Sequence, residues 1–475
     1  MTTPIHISEF RRAIGPAHVL IEDADKQGYL VEWRDKFQGT TEVVLRPGSP
    51  QEVAKCVKIA ARHGLKVVPQ AGNTGLVGGQ IPREDRREIV ISVNRLNKIR
   101  HVDSKGYTIS VDGGVKLQQL QEAAEEADRL FPLALASQGS CIISGNIATN
   151  AGGTAVLSYG NTRDLVLGLE VVMANGEIWH GMRALRKDNT GYDLKQLFIG
   201  SEGTLGIITG ACLKLLPRPC AQNVALCGVD SPEQALSLFA IAKKHAGPML
   251  TAFEIMPRLG MRFSVKHQDG LSRPLAQEHN WYVVLELSAG SPSVDLEALT
   301  EAMFGEAFEA EALEDAVLAQ NGKQAADIWR LRHGMSEVQK FEGGSIKHDI
   351  SVSVNKVPAF LREALAAVEA LVPGCRPVPF GHMGDGNLHF NITQPEGADK
   401  QAFLARWDEV NEVVHAIVAR YDGSISAEHG IGVLKRDLMA AVKSPVELEM
   451  MRAVKRALDP DNLFNPDRIL RADRL

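Results

Sequence analysis

Three glycine-rich segments in the first half of the chain constrain its fold more than any other feature. They read AGNTGLVGG at residues 71–79, GNIATNAGG at 145–153 and GSEGTLG at 200–206. Glycine permits positive φ angles and lets backbone N–H groups approach a ligand closely, and clustered N–H groups bind anions such as phosphate. One such loop alone is compatible with an ordinary turn. Three of them in one β-rich half predict a fold that wraps an elongated, phosphate-bearing cofactor.

The first of these loops is not one of the common nucleotide-binding motifs. It lacks the Gly-Lys-Ser/Thr of a Walker loop and the glycine spacing of the dinucleotide fingerprint. The preceding residues predict a strand, a helix and a second strand. Ser49 and Glu52 form a capping box with Pro50 at the first helical position, and Gly64 ends the helix. This β-α-β unit delivers its second strand directly into the loop.

The remaining pattern predicts an α+β protein of more than one domain. The 475 residues are too many for a single ordinary core, and the Pro-Arg-Pro at 217–219 is a plausible boundary. Beyond it, strands alternate with helices, which predicts an antiparallel sheet with helices on one side. Among the predicted helices are one that includes EALEDAVLA at 311–319 and one long helix at 400–422.

Two histidines in the second half predict a metal site. His382 and His389 bracket Gly-Asp-Gly in GHMGDGNLHF, and Glu428–His429 follows in SAEHGIG. The Asp-Gly pair predicts a two-residue hairpin turn that places the two histidines opposite each other, with β-carbons about 4.5–5.5 Å apart. Two imidazoles and a carboxylate are three ligands for a divalent ion with an open position, and His429 is left as a base. On this segment alone, a hairpin whose histidines merely hydrogen-bond each other or water is equally compatible.

Charge and hydropathy exclude several classes of protein. The formal net charge is −6 at pH 7, whereas nucleic-acid binders carry a basic balance or stripe. The six cysteines show no CxxC pair, so reduced thiols in a cytoplasmic protein are expected. The first residues lack the apolar core of a signal peptide, and no stretch approaches eighteen uninterrupted apolar residues. Peripheral attachment to a membrane stays open.

The motifs together resemble a known family of flavoproteins. VVPQAGNTGLVGG, GSCIISGNIATNAGG and DLKQLFIGSEGTLGIIT resemble the FAD-binding domain of the vanillyl-alcohol-oxidase, or PCMH-type, flavoproteins. GHMGDGNLHFNI, SAEHGIG and LFNPDRIL resemble the FAD-linked oxidase C-terminal domain. Both parts occur in the right order and cover nearly the whole chain. The nearest subgroup is the D-2-hydroxyglutarate dehydrogenases, with D-lactate dehydrogenases and glycolate oxidase subunits beside it.

The resemblance implies a division of the chain into four parts. A helical lead-in is expected at 1–35 and a two-part PCMH-type FAD-binding domain at 36–219. A substrate or cap domain that carries the metal site is expected at 220–440. A helical segment at 441–475 is expected to return to the FAD-binding domain.

The resemblance also implies which residues bind FAD. Some relatives attach FAD covalently through a histidine in the first loop, but no histidine stands between Pro69 and Gly79, so noncovalent FAD is expected. The expected FAD-binding residues come from the three loops and their flanks: Pro69, Gly72, Asn73, Thr74, Gly75, Ser137, Ser140, Gly145, Asn146, Thr149, Gly153, Glu202 and Ile207.

By the same resemblance, His382, His389 and Glu428 hold a zinc-like ion, and His429 is the base that also contacts substrate. The segment LRHGMSEVQKFEGGSIKHD places the subgroup's substrate-binding Arg, hydroxyl residue and Lys at three positions of this chain. Asn391 is added because it lies two residues beyond His389, on the same face of the strand. The expected substrate-binding residues beside His429 are Arg332, Ser336, Lys347 and Asn391.

The expected activity is the oxidation of a D-2-hydroxy acid, above all D-2-hydroxyglutarate to 2-oxoglutarate, by metal-assisted hydride transfer to flavin N5. A D-lactate or glycolate dehydrogenase of the same family is the main alternative, and a non-redox zinc hydrolase, which leaves the three loops unexplained, is another. The resemblance also implies an electron-transfer flavoprotein, a quinone or a cytochrome as electron acceptor, and a homodimer.

Overall fold

The computed structural model describes residues 4–84 and 87–474. The chain divides into two compact units. The first unit comprises residues 1–153, 160–218 and 428–475, and the second comprises residues 154–159 and 219–427. Both units are therefore discontinuous in sequence.

The α-helices of the described residues have the following bounds: α1 Ile5–Ile14, α2 Asp23–Leu30, α3 Pro50–Arg62, α4 Leu117–Glu126, α5 Ile143–Thr149, α6 Val156–Tyr159, α7 Thr162–Leu165, α8 Lys195–Phe198, α9 Pro232–Ala246, α10 Arg258–His267, α11 Leu296–Glu309, α12 Gly322–His333, α13 Met335–Val338, α14 Val357–Leu371, α15 Lys400–Leu404, α16 Trp407–Arg420, α17 Arg436–Val442 and α18 Pro445–Leu458.

The β-strands have these bounds: β1 Val19–Leu20, β2 Val44–Leu45, β3 Lys66–Gln70, β4 Glu88–Ser92, β5 Ile99–Asp103, β6 Thr108–Asp112, β7 Arg129–Leu130, β8 Val166–Val172, β9 Ile178–Gly181, β10 Ile207–Lys214, β11 Leu216–Pro217, β12 Ala221–Val229, β13 Leu250–Pro257, β14 Trp281–Ala289, β15 Asp315–Leu318, β16 Ser345–Ile346, β17 Ile350–Ser351, β18 Arg376–His382 and β19 Asn387–Thr393.

The β-α-β unit that leads into the first glycine loop forms as the sequence predicts. The Ser49 hydroxyl accepts a hydrogen bond from the Glu52 amide at 3.2 Å, and Pro50 opens α3. The Glu52 carboxylate reaches back to the Gly48 amide at 2.7 Å. At the other end, Gly64 follows the helix with a φ of +63°. The strands β2 and β3 both pair in parallel with β4, which lies between them in the sheet order β1-β2-β4-β3.

The first unit contains a second sheet, in which the strands are antiparallel. Its order is β5-β6-β10-β8-β9, and β8 and β9 form the predicted hairpin through Asn175–Gly176. The apolar side of this sheet joins α4 and α5 in one core, which includes Val111, Leu120 and Ile147. The glycine loops therefore begin and end on elements with buried apolar faces.

The C-terminal segment adds to the mixed sheet β1-β2-β4-β3 of the first unit, in which β1 and β2 are antiparallel. The Val67 amide donates to the Leu463 carbonyl and the Asn465 amide donates to the Val67 carbonyl, both at 2.8 Å. Phe464 lies between them, fully buried in the core under β3. The segment thus extends the sheet beyond β3 by a short parallel bridge.

A buried ion pair fixes this C-terminal segment. Arg468 is 1% exposed and pairs with the Glu88 carboxylate at the start of β4, with Nη2 and Oε2 2.8 Å apart. Its guanidinium also donates to the Pro466 carbonyl at 2.7 Å and to the Ile81 carbonyl. Both terminal nitrogens of the guanidinium therefore have hydrogen-bond acceptors, and a buried ion pair requires such additional hydrogen bonds.

The second unit is built on one antiparallel sheet of order β15-β12-β14-β13-β18-β19-β16, with β17 also paired to β19. Helices cover both of its faces. Phe380 belongs to the same apolar cluster as Ile328 of α12. His389, opposite Phe380, shares that face, whereas Phe390 points to the other and contacts Phe360 of α14 at a ring-centroid distance of 5.8 Å. The predicted single layer of helices corresponds to one of these two layers.

Two predicted helices of the second unit differ in the structure. Part of EALEDAVLA forms the edge strand β15, because residues 315–318 pair with β12 in register Ala225↔Leu318. The predicted long helix at 400–422 is interrupted, since α15 ends at Leu404 and α16 begins at Trp407. In the first case the pairing with a sheet edge outweighs the helix propensity of Ala, Leu and Glu.

The six cysteines are free thiols. Across residues 4–84 and 87–474, each helix is either too short or too polar to span a bilayer.

We expect the Arg468–Glu88 pair to contribute strongly to stability. Arg468→Met would leave the Glu88 carboxylate buried without its partner, which costs about 3–5 kcal/mol. Equilibrium urea denaturation measures this loss of unfolding free energy. Arg471→Met is the matched control, since Arg471 lies three residues on with its side chain 42% exposed, and its ion pair with Asp437 contributes less than about 1 kcal/mol. Equal losses in the two variants would contradict the assigned role.

Candidate active site

The first two glycine loops pack directly on each other within the first unit. A β-carbon on Gly72 would lie 2.5 Å from the Ser140 carbonyl oxygen. A β-carbon on Gly145 would lie 3.0 Å from the Ala71 side chain. Only glycine allows this backbone approach at Gly72, and the two loops thereby form one continuous surface.

The third loop joins the other two. The Gly200 amide donates to the Ile147 carbonyl at 3.0 Å, and the Glu202 amide donates to the Ala148 carbonyl at 2.8 Å. A β-carbon on Gly203 would lie 3.2 Å from the Pro69 ring. The structure therefore brings the three predicted glycine-rich segments together, but residues 145–149 of the second segment form part of helix α5 and not a loop.

The backbone of the first loop fits a diphosphate better than its side chains do. The amide N–H groups of residues 72–75 donate to no other described part of the chain. Asn73 has a φ of +53°, a left-handed conformation of the kind that turns N–H groups into an anion-binding nest. Its side-chain amide is used elsewhere, because Nδ2 donates to the carbonyls of Gly28 at 3.1 Å and Val31 at 2.9 Å. Asn73 thus ties the loop to α2.

Other predicted FAD-binding residues serve the loop backbone. The Thr149 hydroxyl donates to the Gly145 carbonyl at 3.0 Å, and the Ser140 hydroxyl donates to the Ser137 carbonyl at 3.2 Å. Asn146 is buried within α5. Gly153 is required because a β-carbon there would lie 2.1 Å from the Ala134 carbonyl oxygen, and Ile207 begins β10. Thr74 and Gly75 lie in the N–H-rich turn itself.

The carboxylate of Glu202 is turned toward the protein. Oε1 accepts from the Ile431 amide and Oε2 from the Gly432 amide, both at 2.7 Å. Burial raises the pKa of this carboxyl group, and the two amide hydrogen bonds oppose that shift. This use of the side chain is not visible in the sequence, because its partners are 229 and 230 residues away.

The histidine hairpin of the second unit forms with a different turn. The predicted two-residue turn is wrong: residues 383–386 form a longer turn, and the amides of Asp385 and Gly386 both donate to the His382 carbonyl. His389 is therefore opposite Phe380 rather than His382. The observed pairing of β18 with β19 differs from the predicted pairing by two residues. His382 therefore stays on the predicted face of the sheet, as a diagonal neighbour of His389. The His382 and His389 ring centroids are 5.7 Å apart.

A buried carboxylate that the sequence analysis missed connects two predicted site residues. Glu254 of β13 is 1% exposed, and its Oε1 lies 2.7 Å from His382 Nδ1. Its Oε2 accepts from Arg332 Nε at 2.7 Å. Burial opposes ionisation of Glu254, but the charges of His382 and Arg332 outweigh it and lower its pKa to about 2. Metal-binding histidines commonly donate their second ring nitrogen to such a carboxylate, so this contact fits a metal ligand.

The predicted substrate-binding residues of the second unit lie on one face of its sheet. The Arg332 guanidinium stacks over the Phe380 ring, 4.8 Å from its centroid, and Phe380 is opposite His389. The Lys347 ammonium donates to the Ser336 carbonyl at 2.8 Å and to its hydroxyl at 3.2 Å. Asn391 is 2% exposed and lies two residues beyond His389 on β19.

Asp349 is a second residue that the sequence analysis missed. One of its carboxylate oxygens lies within 4.8 Å of a ring nitrogen of His389, and Asp349 is 2% exposed. The Asn387 side chain donates to Asp349 Oδ1 at 3.0 Å, which fixes its orientation. The sequence around Asp349, two residues after Lys347, did not indicate a functional role, because a lone aspartate between strands is usually a turn residue.

Glu428 and His429 open the last stretch of the first unit, immediately after the second unit ends at Ala427. Residues 421–435 form neither helix nor strand. Both side chains are partly exposed.

The sequence matches two protein families. The family described as FAD linked oxidases, C-terminal domain, matches residues 218–469, and the FAD binding domain matches residues 41–181. The chain belongs to the FAD-linked oxidases. The predicted family is therefore confirmed, including its order of an FAD-binding domain followed by an oxidase domain.

Individual relatives extend over the whole chain. A D-2-hydroxyglutarate dehydrogenase of Xanthomonas citri pv. viticola is 38% identical over 469 residues, which cover 99% of this chain and 97% of that protein. A mitochondrial D-2-hydroxyglutarate dehydrogenase of Arabidopsis thaliana is 35% identical over 464 residues, covering 98% of this chain and 81% of that protein. The crystal structure of p-cresol methylhydroxylase with substrate bound matches with a TM-score of 0.77 at 17% identity, covering 98% and 97% of the two chains. The predicted α+β, PCMH-type fold is thereby confirmed.

We expect Glu254 to strengthen metal binding through His382. Glu254→Gln removes the charge behind the imidazole, and loss of such a partner lowers metal affinity about 10–100-fold. Titration of the metal-free protein with Zn²⁺ against a competing chelator measures the affinity. Glu278→Gln, whose carboxylate pairs with Arg262 on the surface of the same unit, is the control and should bind as the wild type does. An unchanged affinity in Glu254→Gln would leave Glu254 as a partner of Arg332 alone.

Proposed function

We propose that this protein is an FAD-dependent dehydrogenase that oxidises D-2-hydroxyglutarate to 2-oxoglutarate. The relatives that carry this activity in their names match the chain over nearly its full length. The observation that carries the proposal is the grouping of Arg332, Lys347 and the two hairpin histidines on one sheet face of the second unit. Two cations suit a substrate with two carboxylates, and two imidazoles suit a metal ion.

The proposed metal ligands are His382, His389 and Glu428. Glu254 supports this choice because its hydrogen bond to Nδ1 orients the His382 ring. Asp349, close to His389, is a candidate for a further oxygen ligand or for a hydrogen-bond partner of that ring. A zinc-like ion, when bound, lowers the pKa of a coordinated hydroxyl group and polarises the substrate.

The residues of the chain then have separate tasks in the reaction. Arg332 binds the carboxylate next to the reacting carbon, and Lys347 with Ser336 binds the distal carboxylate of the dicarboxylic acid. Asn391, on the same face of the sheet, donates a hydrogen bond to the substrate. His429 accepts the hydroxyl proton, as a neutral imidazole can. FAD, held by the three glycine loops without a covalent bond, supplies the acceptor for the hydride from the same carbon.

The grouping of loops that fits a flavin argues against a zinc hydrolase, for which these loops have no task. D-lactate and glycolate dehydrogenation are the nearest alternatives, because both share the 2-hydroxy acid group. Neither D-lactate nor glycolate has a second carboxylate for Lys347 to bind. For the reoxidation of the flavin we propose an electron-transfer flavoprotein, a quinone or a cytochrome, as the family resemblance implies.

Anaerobic reduction of the bound flavin distinguishes these substrates. We expect D-2-hydroxyglutarate to bleach the absorbance near 450 nm fastest, followed by D-malate, with D-lactate and glycolate much slower. Stopped-flow mixing of the FAD-loaded protein with each acid measures the rate constants. If only the monocarboxylic acids reduce the flavin, the dicarboxylate proposal is wrong, and if the protein binds no flavin, the dehydrogenase proposal itself is wrong.

The role of Lys347 is tested by a change of specificity. Lys347→Met should lower kcat/KM for D-2-hydroxyglutarate about 10–100-fold, because a hydrogen bond to a charged group contributes about 1.5–3 kcal/mol. The value for D-lactate should stay unchanged. Lys340→Met is the matched control, since its side chain is 57% exposed in the same segment. A parallel loss for both acids in Lys347→Met would show that Lys347 does not recognise the distal carboxylate.

A further inference from the structure

The segment that carries Glu428 and His429 lacks regular structure, yet both proposed roles require fixed positions. It lies between the end of α16 at Arg420 and the start of α17 at Arg436. A metal ligand and a base must be held within fractions of an ångström to act efficiently. Contacts other than helix or strand hydrogen bonds must therefore fix this segment.

Glu202 supplies two of these contacts within the first unit. Each of its carboxylate oxygens accepts one backbone hydrogen bond at 2.7 Å, from Ile431 and from Gly432. These amides follow His429 by two and three residues. Hydrogen bonds to a carboxylate are shorter and stronger than neutral ones. The pair of bonds fixes both the position and the direction of the backbone directly after the proposed base.

Two glycines show how closely the segment lies on its support. A β-carbon on Gly430 would lie 2.8 Å from Glu202 Oε1, and one on Gly432 would lie 2.3 Å from the Val77 carbonyl oxygen. Both have positive φ angles, +80° and +51°. The same Val77 carbonyl accepts from the amides of Val433 at 2.9 Å and Leu434 at 3.1 Å. The first glycine loop thus holds the segment just beyond the point where Glu202 holds it.

Glu202 is itself anchored on both sides. Its amide donates to the Ala148 carbonyl of α5, and its carbonyl accepts from the Asn465 side chain, each at 2.8 Å. Its φ of +51° is a conformation that non-glycine residues rarely adopt. The backbone of the third loop is therefore fixed, and the carboxylate extends from it to the segment.

We propose that Glu202 is a positioning residue for Glu428 and His429 and does not bind FAD through its side chain. This inference rests on the proposed function for the roles of those two residues. Through Val77 and Glu202, the first and third glycine loops set the place of the catalytic segment. The family resemblance implies that Glu202 binds the cofactor, whereas its two carboxylate oxygens both accept hydrogen bonds from the segment.

Glu202→Gln tests the proposal with little change of shape. The substitution places an NH₂ group against one of the two N–H donors, so one hydrogen bond is lost and the segment shifts. We expect the rate constant of anaerobic flavin reduction by D-2-hydroxyglutarate to fall roughly 100-fold, as for other small displacements of reacting groups. The absorbance near 450 nm per protein should stay at the wild-type value. Glu126→Gln, on the exposed side of α4, is the control and should change neither quantity.

A double variant separates positioning from a general structural effect. With Zn²⁺ at a saturating concentration, which offsets a loss of metal affinity through Glu428, Glu202→Gln should cost little more in a His429→Ala background than His429→Ala costs alone. Multiplicative losses in the double variant would overturn the proposal. Loss of FAD from Glu202→Gln would also overturn it, since the side chain would then serve the cofactor. A wild-type reduction rate in Glu202→Gln would overturn it as well.

The Zn²⁺ affinity tests the positioning role of Glu202 independently of the proposed activity. Zn²⁺ affinity of the metal-free protein should fall in Glu202→Gln, because Glu428 shifts with the segment, and this needs no turnover. If none of the four acids reduces the wild-type flavin, the proposed function fails, while the affinity still tests the positioning role. Should Glu202→Gln not fold, Glu202→Asp, which keeps the charge and shortens the side chain, should show a reduced affinity. An unchanged affinity would overturn the inference.

Discussion

The contact between the first two glycine loops is the constraint on which the rest of the first unit depends. Gly72 lies so close to the Ser140 carbonyl that a side chain cannot be accommodated. This contact sets where β3 must end and where α5 must begin, and the third loop then lies on α5. The N–H groups of residues 72–75 donate to no other described part of the chain, which suits a diphosphate. Cofactor binding is in this sense a consequence of backbone packing.

The sheet of the second unit contains a buried charged group, Glu254, together with its buried partners. Glu254 lies on a central strand and is almost fully buried, which is costly unless its charge is matched. Arg332 and His382 match it from a covering helix and from the neighbouring strand. One carboxylate thereby orients a guanidinium and an imidazole toward the same face. In the proposed site, the guanidinium assigned to the substrate and the imidazole assigned to the metal ion are consequently linked by a single buried group.

The sequence predicted local features well and distant pairings poorly. The cap at Ser49, the stop at Gly64 and the hairpin at Asn175–Gly176 depend on residues within a few positions, and all three form as expected. Glu254 was missed because its partner His382 is 128 residues away. The strand β15 was predicted as helix because only its pairing with β12 decides its conformation. The face of the histidine hairpin was predicted correctly despite the wrong turn, since a two-residue shift preserves the alternation.

The pairing of the C-terminal segment with β3 has a consequence for biosynthesis. Residues 463–465 and Arg468 complete a sheet whose other strands lie within the first hundred residues of the chain. During translation, the whole second unit is synthesised before these residues are made. The first unit therefore cannot complete its fold until Arg468 has been synthesised, and until then the outer edge of β3 has no pairing partner. A chaperone that shields the exposed edge of β3 would protect the nascent protein during this interval.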